Sequence, residues 1–159
     1  MIDGGLLASS TGIRTVCDFR STDMALGGQG APLVPIGDEI LFSRYAACLN
    51  LGGFANISFK SSERRKAFDI CPVNIVLNEI TQRLGLEYDD GGKIARSSAP
   101  DNSLLETLNS NTFYSMTGPK SLGREWVENN ISKLIKGDPQ ILLATFTEHA
   151  AQQIGKIVS

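Results

Sequence analysis

A glycine- and proline-rich segment, GGQGAPLVP at positions 27–35, constrains this chain more than any other feature of its sequence. It holds three glycines and two prolines within nine residues. Glycine is costly inside regular elements, and proline lacks the backbone N–H that interior helix and strand positions need. We therefore expect a loop of defined shape here, excluded from any helix or central strand.

The residues before this loop predict a buried strand. Positions 13–19 are mostly apolar or β-branched, and Asp18 and Arg20 would lie at the C-terminal end of the strand. Functional side chains often lie at that edge of an α/β sheet. Two interpretations stay open for Asp18 and Arg20. They form a structural ion pair with each other, or they contact a ligand, because the planar guanidinium group of arginine binds a carboxylate through two hydrogen bonds.

Two further strands are predicted around a pair of glycines. A short helix at 35–44 precedes apolar stretches at 45–51 and 54–59, which Gly52 and Gly53 join. Strands linked by a Gly-Gly turn form a hairpin. The tip of the hairpin is either only a turn or a site that contacts phosphate. The second role is possible because a turn without side chains lets backbone N–H groups approach phosphate oxygens.

Asp69 lies where a fourth short strand, 67–70, is predicted to be followed by a helix. An exposed turn at 61–66 precedes it, and Pro72 suits the first position of a helix that would end at Gly85. An Asp before a helix is commonly its N-cap. Three residues ahead of Pro72 is early for that role, and a carboxylate between apolar neighbours is instead a candidate general base.

The C-terminal half is predicted to be helical. Asp101 would cap one helix, positions 124–136 would form another, and Asp138-Pro139 would open a last helix. Strands first and helices later favour an α/β or α+β domain, and four short strands make a small sheet for so many helices. The only histidine, His149, has no nucleophile or carboxylate partner in the pattern, so we expect a packing or surface role.

Composition excludes several classes of protein. The 159-residue chain is 42% hydrophobic and 20% charged, and its net charge of −2 offers no basic surface for nucleic acid. No apolar run approaches the ~18 residues of a membrane span, and the N-terminus lacks a signal-peptide pattern. Three widely spaced cysteines and one histidine do not match a metal site. We expect reduced thiols and a cytoplasmic location.

Six motifs together resemble one family. They are, in chain order, TGIRTVCDFR, DMALGGQGAPLVP, NLGGFANISF, AFDICPVN, YDDGGKIAR and PKSLGREW. GGQGAPLVP and KSLGREW are the most specific, and the set covers nearly the whole chain. In this order the motifs are similar to those of the anhydro-N-acetylmuramic acid kinase family.

The resemblance implies a ribonuclease-H-like, actin-like ATPase fold with two lobes around a cleft. This chain would hold part of it, with a small mixed sheet and helices. The resemblance also implies a cytoplasmic enzyme of peptidoglycan recycling. It would use ATP and Mg²⁺ to open the 1,6-anhydro ring of anhydro-N-acetylmuramic acid and to phosphorylate O6. The magnesium ion would be held mainly through the phosphates.

The resemblance assigns roles to individual residues. Asp69 matches the catalytic base, which would activate the water that attacks the anomeric carbon. The second phosphate segment would comprise Asn50, Gly52 and Gly53. The stretches that line the sugar cleft would contain Asp18, Arg20 and Gln29.

Three further residues are candidate substrate contacts from their positions alone. Asn74 lies in the first turn of a predicted helix, where its amide would donate to an anion. Lys120 and Arg124 lie around a glycine at another helix start. The alternatives are a solvated asparagine and an ordinary helix N-terminus.

The chain departs from the family pattern in two ways. The family has Asp-Thr-Gly-Pro-Gly-Asn where this chain has DICPVN at 69–74, and Asn78 replaces a further Asp. Loss of two glycines narrows the approach of the backbone to a ligand. The family's Gly-Thr-Ser-x-Asp-Gly phosphate loop and its glycine-rich adenine segment are also missing. Residues 1–159 would thus be the central part of a two-lobed kinase, and we expect no turnover by this chain alone.

Several hypotheses stay open at this point. The chain is part of a sugar kinase, or a non-catalytic sugar-binding or oligomerisation remnant of the family, or it uses a different sugar on the same scaffold. Part of a two-lobed protein would leave a sheet edge and an apolar face uncovered. That predicts a homodimer or a larger assembly.

Overall fold

The computed structural model describes residues 3–27, 33–62, 64–118 and 120–159. The chain divides into two compact units, Met1–Tyr45 and Ala46–Ser159. The helices and strands of the described residues are, in chain order, α1 Gly4–Thr11, α2 Phe19–Ala25, α3 Leu33–Leu41, β1 Ala47–Leu51, β2 Phe54–Ser61, β3 Arg64–Pro72, α4 Asn74–Gln82, α5 Lys93–Arg96, α6 Asn102–Asn109, α7 Arg124–Asn130 and α8 Pro139–Val158. Short 3-10 turns occupy Asp90–Gly92, Thr112–Ser115 and Ser132–Leu134.

The N-terminal unit consists of α1–α3 and has no core among its described residues. None of these residues is buried, and Leu26 and Leu41 are 84% and 72% exposed. The strand predicted at 13–19 is wrong, because the segment is irregular up to Asp18, whose backbone is left-handed with φ of 58°. An apolar, β-branched pattern forms a strand only where another strand pairs with it, and none of the described strands does.

The short helix predicted at 35–44 is confirmed as α3, but α3 begins earlier than the predicted loop allows. Residues 28–32 of the glycine-rich segment lie outside the described residues. The residues that follow them, from Leu33 to Pro35, are helical, so the exclusion of a helix is wrong there. Pro35 lies in the first turn of α3, where its missing N–H would have no intrahelical partner.

The C-terminal unit is built on an antiparallel sheet with the order β1-β2-β3. β1 and β2 form the predicted hairpin around Gly52 and Gly53. β3 runs through Pro72, so the helix predicted to begin there starts instead at Asn74. Pro72 lies opposite Phe54 at the end of the strand, where a missing N–H costs the ladder little. The described strands number three, and they pair antiparallel rather than as the expected mixed sheet.

Helix α8 organises the core of this unit. It starts as predicted at Asp138-Pro139, where Asp138 Oδ1 accepts the Gln140 N–H at 2.7 Å. One side packs on α4–α7 through a cluster of buried apolar residues, Val76, Ile80, Leu108, Val127, Leu143 and Phe146. The sheet side packs through Ala150 on a second cluster, Ala55, Ile57, Ile70 and Cys71. α8 therefore covers one face of the sheet.

Two other helices lie close to their predicted positions. Asp101 caps α6, and its Oδ1 accepts the N–H groups of Ser103 and Leu104. α7 begins at the predicted Arg124 but ends at Asn130, several residues early. The Asn130 side chain donates to the carbonyl of the residue four positions earlier, a local bond that competes with helix propagation.

His149 is buried inside this unit, so of the two roles expected for it, packing or surface, it has the packing role. Its Nδ1 lies 2.8 Å from Asn109 Oδ1, and its Nε2 lies 2.9 Å from the Tyr114 hydroxyl. Gln153 also donates to Asn109 Oδ1, which identifies that oxygen as an acceptor and Nδ1 as the protonated nitrogen. The Tyr114 hydroxyl then donates to Nε2. Burial, together with the charge of Lys156, lowers the pKa of His149 to about 4.

Candidate functional site

Asp69 directly precedes a β-bulge in β3 and lies on the face of the sheet away from the core. Asp69 lies opposite Asn56 of β2, whereas Cys71 lies opposite the adjacent Ala55, so Ile70 is an extra residue in β3. Ile70 and Cys71 are 2% and 0% exposed and pack in the core, while Asp69 is half-buried. A bulge changes the alternation of side chains along a strand. It therefore allows an acid to adjoin two core residues without entering the core.

Three polar residues form a row across the sheet on the face opposite α8. Asn50 of β1 lies opposite Asn56, and Asn56 lies opposite Asp69. Directly opposed residues share one face of a sheet. With strands about 4.8 Å apart, the row is about 10 Å long. The structure thus brings together Asn50 and Asp69, which the sequence predicted separately, and adds Asn56 between them.

The glycine turn is joined to the start of α4 through its carbonyl groups. Gly53 O accepts the N–H groups of Val73 and Ile75, at 2.8 and 3.2 Å. Gly52 O accepts that of Asn74, at 3.3 Å. These bonds use the amides that a helix N-terminus would otherwise offer to an anion. A substrate role for Asn74 therefore depends on its exposed side chain.

The donors of the turn itself are differently placed. The Gly52 N–H donates to Phe54 O at 3.3 Å, whereas the Gly53 N–H has no backbone acceptor among the described residues. A Cβ on Gly53 would meet only Ile75 Cβ, at 3.8 Å, so the turn is open there. The Asn50 amide nitrogen lies 3.5 Å from the place of a Cβ on Gly52. The Gly53 N–H and the Asn50 amide are therefore two neighbouring donors.

The KSLGREW segment lies beside Asp69. The Asp69 N–H donates to Lys120 O at 2.9 Å, and the Leu122 N–H donates to Asp69 Oδ2 at 2.7 Å. A backbone N–H that donates to a carboxylate forms a charge-assisted hydrogen bond. Two motifs that are distant in sequence thus meet at one carboxylate. The role of Leu122 was missed, because a backbone donor has no side-chain signature in a sequence.

The two basic residues of this segment have different environments. Lys120 is 7% exposed, and its ammonium donates to Phe113 O at 2.9 Å and lies 4.6 Å from the Phe113 ring. Burial lowers the pKa of Lys120. Arg124 is the first residue of α7, and its side chain is exposed. Of the two, only Arg124 presents its charge at the surface.

The motifs that meet at Asp69 match a known family over the whole chain. The family model described as anhydro-N-acetylmuramic acid kinase matches residues 1–159. This chain belongs to the anhydro-N-acetylmuramic acid kinase family. The Asp69 segment and the KSLGREW segment are therefore two parts of a family protein that fold together.

Individual relatives that carry the name anhydro-N-acetylmuramic acid kinase agree with this assignment. The chain is 40% identical to the protein from Hahella chejuensis over 161 residues, which cover 94% of this chain and 44% of the relative. It is 41% identical to that from Pseudomonas putida, with the same shares, and 39% identical to that from Pasteurella multocida, with shares of 96% and 43%. The chain thus spans less than half the length of these curated relatives.

One departure from the family pattern lies in the core rather than beside Asp69. Cys71 stands where the resemblance expects a glycine, is fully buried and lies opposite Ala55. Burial raises the pKa of its thiol to about 12. Val73, at the second such position, is half-buried and packs on the same cluster. The Cys71 side chain therefore adds to the core and does not narrow the polar face.

The remaining predicted sugar contacts lie in the N-terminal unit. Asp18 is exposed and directly precedes α2, which contains the backbone of Arg20. The Arg20 side chain and the whole of Gln29 lie outside the described residues. Their contacts with a sugar stay predictions.

Metal and membrane features were searched in the described part of the chain. No group of three or more His, Cys, Asp or Glu side chains there could hold a metal ion. None of the helices described combines the length and hydrophobicity needed to cross a bilayer. Cys17, Cys48 and Cys71 form no disulfide with one another.

Proposed function

We propose that this chain provides part of the active site of a sugar kinase of peptidoglycan recycling. The kinase opens the 1,6-anhydro ring of anhydro-N-acetylmuramic acid and transfers the γ-phosphoryl group of ATP to O6. The observation that carries this proposal is the position of Asp69, in one polar row with Asn50 beside the glycine turn. Membership of the family supports the choice of substrate and of a ribonuclease-H-like, actin-like ATPase fold.

Asp69 is the general base of this reaction. Its carboxylate takes a proton from the water whose oxygen bonds to the anomeric carbon, while the bond from that carbon to O6 breaks. O6 then bonds to the γ-phosphorus of ATP, the bond from that phosphorus to the bridging oxygen breaks, and ADP leaves. The Leu122 N–H at 2.7 Å from Oδ2 supports this role, because it suits an ionised carboxylate and fixes its orientation.

The glycine turn receives the phosphates of ATP in this proposal. The Gly53 N–H and the Asn50 amide are neighbouring donors at a turn without side chains, which is the chemistry that phosphate oxygens require. Mg²⁺ would neutralise the phosphate charge and be held mainly by the phosphates themselves. Asp18, Arg20, Gln29, Asn74 and Arg124 would contribute to the sugar side.

The chain alone is not expected to turn over, because it spans only 44% of its relatives' length. The other contacts to ATP would come from parts of the family protein outside this chain. The alternative is a non-catalytic sugar-binding or oligomerisation remnant, which the replacements at Ile70, Cys71, Val73 and Asn78 favour. A cytoplasmic location belongs to the same proposal.

A chimera tests the proposal without requiring the chain to act alone. The matching segment of the Hahella chejuensis relative is replaced by this chain, and ATP-dependent phosphorylation of the anhydro-sugar is measured. We expect turnover, and a loss of about 10²–10⁴-fold in kcat for Asp69→Asn, since a general base contributes that much. Asp90→Asn, at an exposed carboxylate paired with Lys93, is the matched control and should retain activity. A folded chimera that binds the sugar without turnover would favour the remnant.

We also propose that the chain forms a homodimer through the edge of β1 that pairs with none of the described strands. The carbonyl of Ala46 accepts the Lys60 N–H at 3.2 Å, so residues of even number in β1 bond to β2. Ala47, Leu49 and Leu51 therefore direct their N–H and C=O groups away from the sheet. Charged residues and proline usually protect an edge strand from pairing with another chain, and β1 contains neither.

A further inference from the structure

We propose that Lys120 is a positioning residue for Asp69, and that its buried ammonium holds the 120–122 segment where Leu122 can donate to the carboxylate. This inference rests on the proposed function only in taking Asp69 as the reacting group. Lys120 itself would not touch the sugar or the nucleotide.

Lys120 has two contacts that connect different parts of the unit. Its backbone carbonyl accepts the Asp69 N–H at 2.9 Å, and its ammonium donates to Phe113 O at 2.9 Å. Phe113 is 5% exposed and belongs to the 3-10 turn Thr112–Ser115. A single residue therefore joins β3, where Asp69 lies, through its backbone, and the buried Phe113 through its side chain.

The surroundings of the ammonium restrict its position. It lies 4.6 Å from the ring centre of Phe113 and 6.0 Å from that of Phe68, which are distances at which aromatic faces attract a cation. No carboxylate of the described residues forms an ion pair with it. Lys120 is 7% exposed, and its ammonium, with one carbonyl and two rings around it, loses these contacts if the side chain moves. Burial lowers the pKa of the group as well.

The constraint on Lys120 passes to Asp69 through the backbone. Leu122 is only two residues from Lys120, and its N–H reaches Asp69 Oδ2 at 2.7 Å. The ammonium thus fixes one end of a three-residue segment whose other end orients the carboxylate. An apolar residue at this position would not hold the segment in the same way, because its side chain has no donor for the Phe113 carbonyl.

The test uses amide hydrogen exchange in this chain, with no sugar or nucleotide present. In Lys120→Met, which keeps the length and loses the charge, the Asp69 and Leu122 amides should exchange at least tenfold faster than in the unaltered protein. The Val73 amide, which donates to Gly53 O at 2.8 Å, is the internal reference and should change less than twofold. Ser121→Ala, at the exposed residue between the two contacts, is the matched control and should leave all three amides unchanged.

A second readout separates positioning from general stabilisation. In the unaltered protein the Leu122 amide proton shift should follow the ionisation of Asp69 as the pH is lowered, and in Lys120→Met it should not. Equal acceleration of all three amides, or no acceleration of the first two, would overturn the inference. If Lys120→Met does not fold, Asp69→Asn replaces it. In Asp69→Asn, the backbone amide of residue 69 should stay protected from exchange, because the Lys120 side chain holds the segment without the carboxylate. Loss of that protection would also overturn the inference.

These measurements are independent of the proposed kinase activity. A chimera without turnover would leave the exchange rates unaffected, so it would refute the proposed function alone. Unaltered exchange in Lys120→Met, in an active chimera, would refute the positioning role alone.

Discussion

The amide nitrogen of Leu122 lies 2.7 Å from Oδ2 of Asp69, although the two residues are 53 positions apart. The carboxylate is thus held by a segment that follows the entire α4–α6 region in the chain. A carboxylate that is oriented by a backbone donor has a fixed direction before any ligand arrives. This contact also makes the stability of the unit depend on Asp69.

Asp69→Ala should lower the free energy of unfolding by about 1–3 kcal/mol, because it leaves a partly buried N–H without its acceptor. Many catalytic carboxylates behave oppositely, since their removal relieves strain. Urea denaturation would measure the change. Asp90→Ala, which removes only an exposed ion pair with Lys93, should cost less than about 1 kcal/mol. A stabilised Asp69→Ala would show that the Leu122 contact contributes nothing.

Acidification should destabilise the protein through His149. Its pKa is about 4 in the folded protein and ordinarily 6.5, so the unfolded chain binds a proton more readily. The stability contributed by the neutral imidazole is complete above pH 6.5 and is lost as the pH falls towards 4. The loss approaches roughly 3 kcal/mol, at about 1.4 kcal/mol for each unit of pKa.

The single histidine of the sequence makes this prediction easy to isolate. Urea midpoints measured between pH 6.5 and 4.5 should fall steadily in the unaltered protein. In His149→Gln the slope over this range should largely disappear, at a lower overall stability. An unchanged slope in that variant would assign the effect to carboxylates instead.

Cys17 and Cys71 should differ strongly in reactivity. Cys17 is exposed, whereas Cys71 is fully buried and has a pKa of about 12, so its thiolate fraction at pH 8 is on the order of 0.01%. A thiol reagent at pH 8 should label Cys17 rapidly and Cys71 only after denaturation. Cys17→Ser should remove the fast phase. Rapid labelling of Cys71 in the folded protein would mean that β3 opens at its bulge.

Local signals predicted part of this fold well. The glycine turn at Gly52 and Gly53, the Asp101 cap and the start of α8 at Asp138 each depend on residues that are adjacent in sequence. The strand predicted at 13–19 failed because a strand needs a partner, and the pattern alone does not supply one.

The candidate site was predictable only in part. The sequence singled out Asp69 and Asn50, but their alignment depends on the registers in which β1 and β3 pair with β2, and no residue type announces those registers. The helix start predicted at Pro72 was wrong because the first amides of α4 bond to the glycine turn, a contact between separate elements. Lys120 was predicted to contact substrate because of its charge beside a helix start, whereas the fold buries its side chain against Phe113.

The last prediction concerns the proposed β1 dimer and its register. If two copies pair antiparallel about Leu49, the two Leu49 residues exchange both backbone bonds, and their Cα atoms lie about 5.5 Å apart. That separation suits a disulfide. The Leu51 residues would instead lie about 14 Å apart, at about 3.4 Å per residue along the strand. Both side chains are exposed, at 42% and 55%, so accessibility alone does not favour Leu49.

Leu49→Cys and Leu51→Cys, each in a chain with Cys17→Ser and Cys48→Ser, distinguish this register from unspecific association. Mild oxidation should cross-link the Leu49→Cys protein into dimers and leave the Leu51→Cys protein monomeric on a non-reducing gel. Leu49→Pro should lower the dimer fraction in light scattering, because it removes an outward N–H while the bonds from β1 to β2 remain. Equal cross-linking of both cysteine variants would indicate collision of exposed thiols, and a monomer at all concentrations would exclude the β1 edge as an interface.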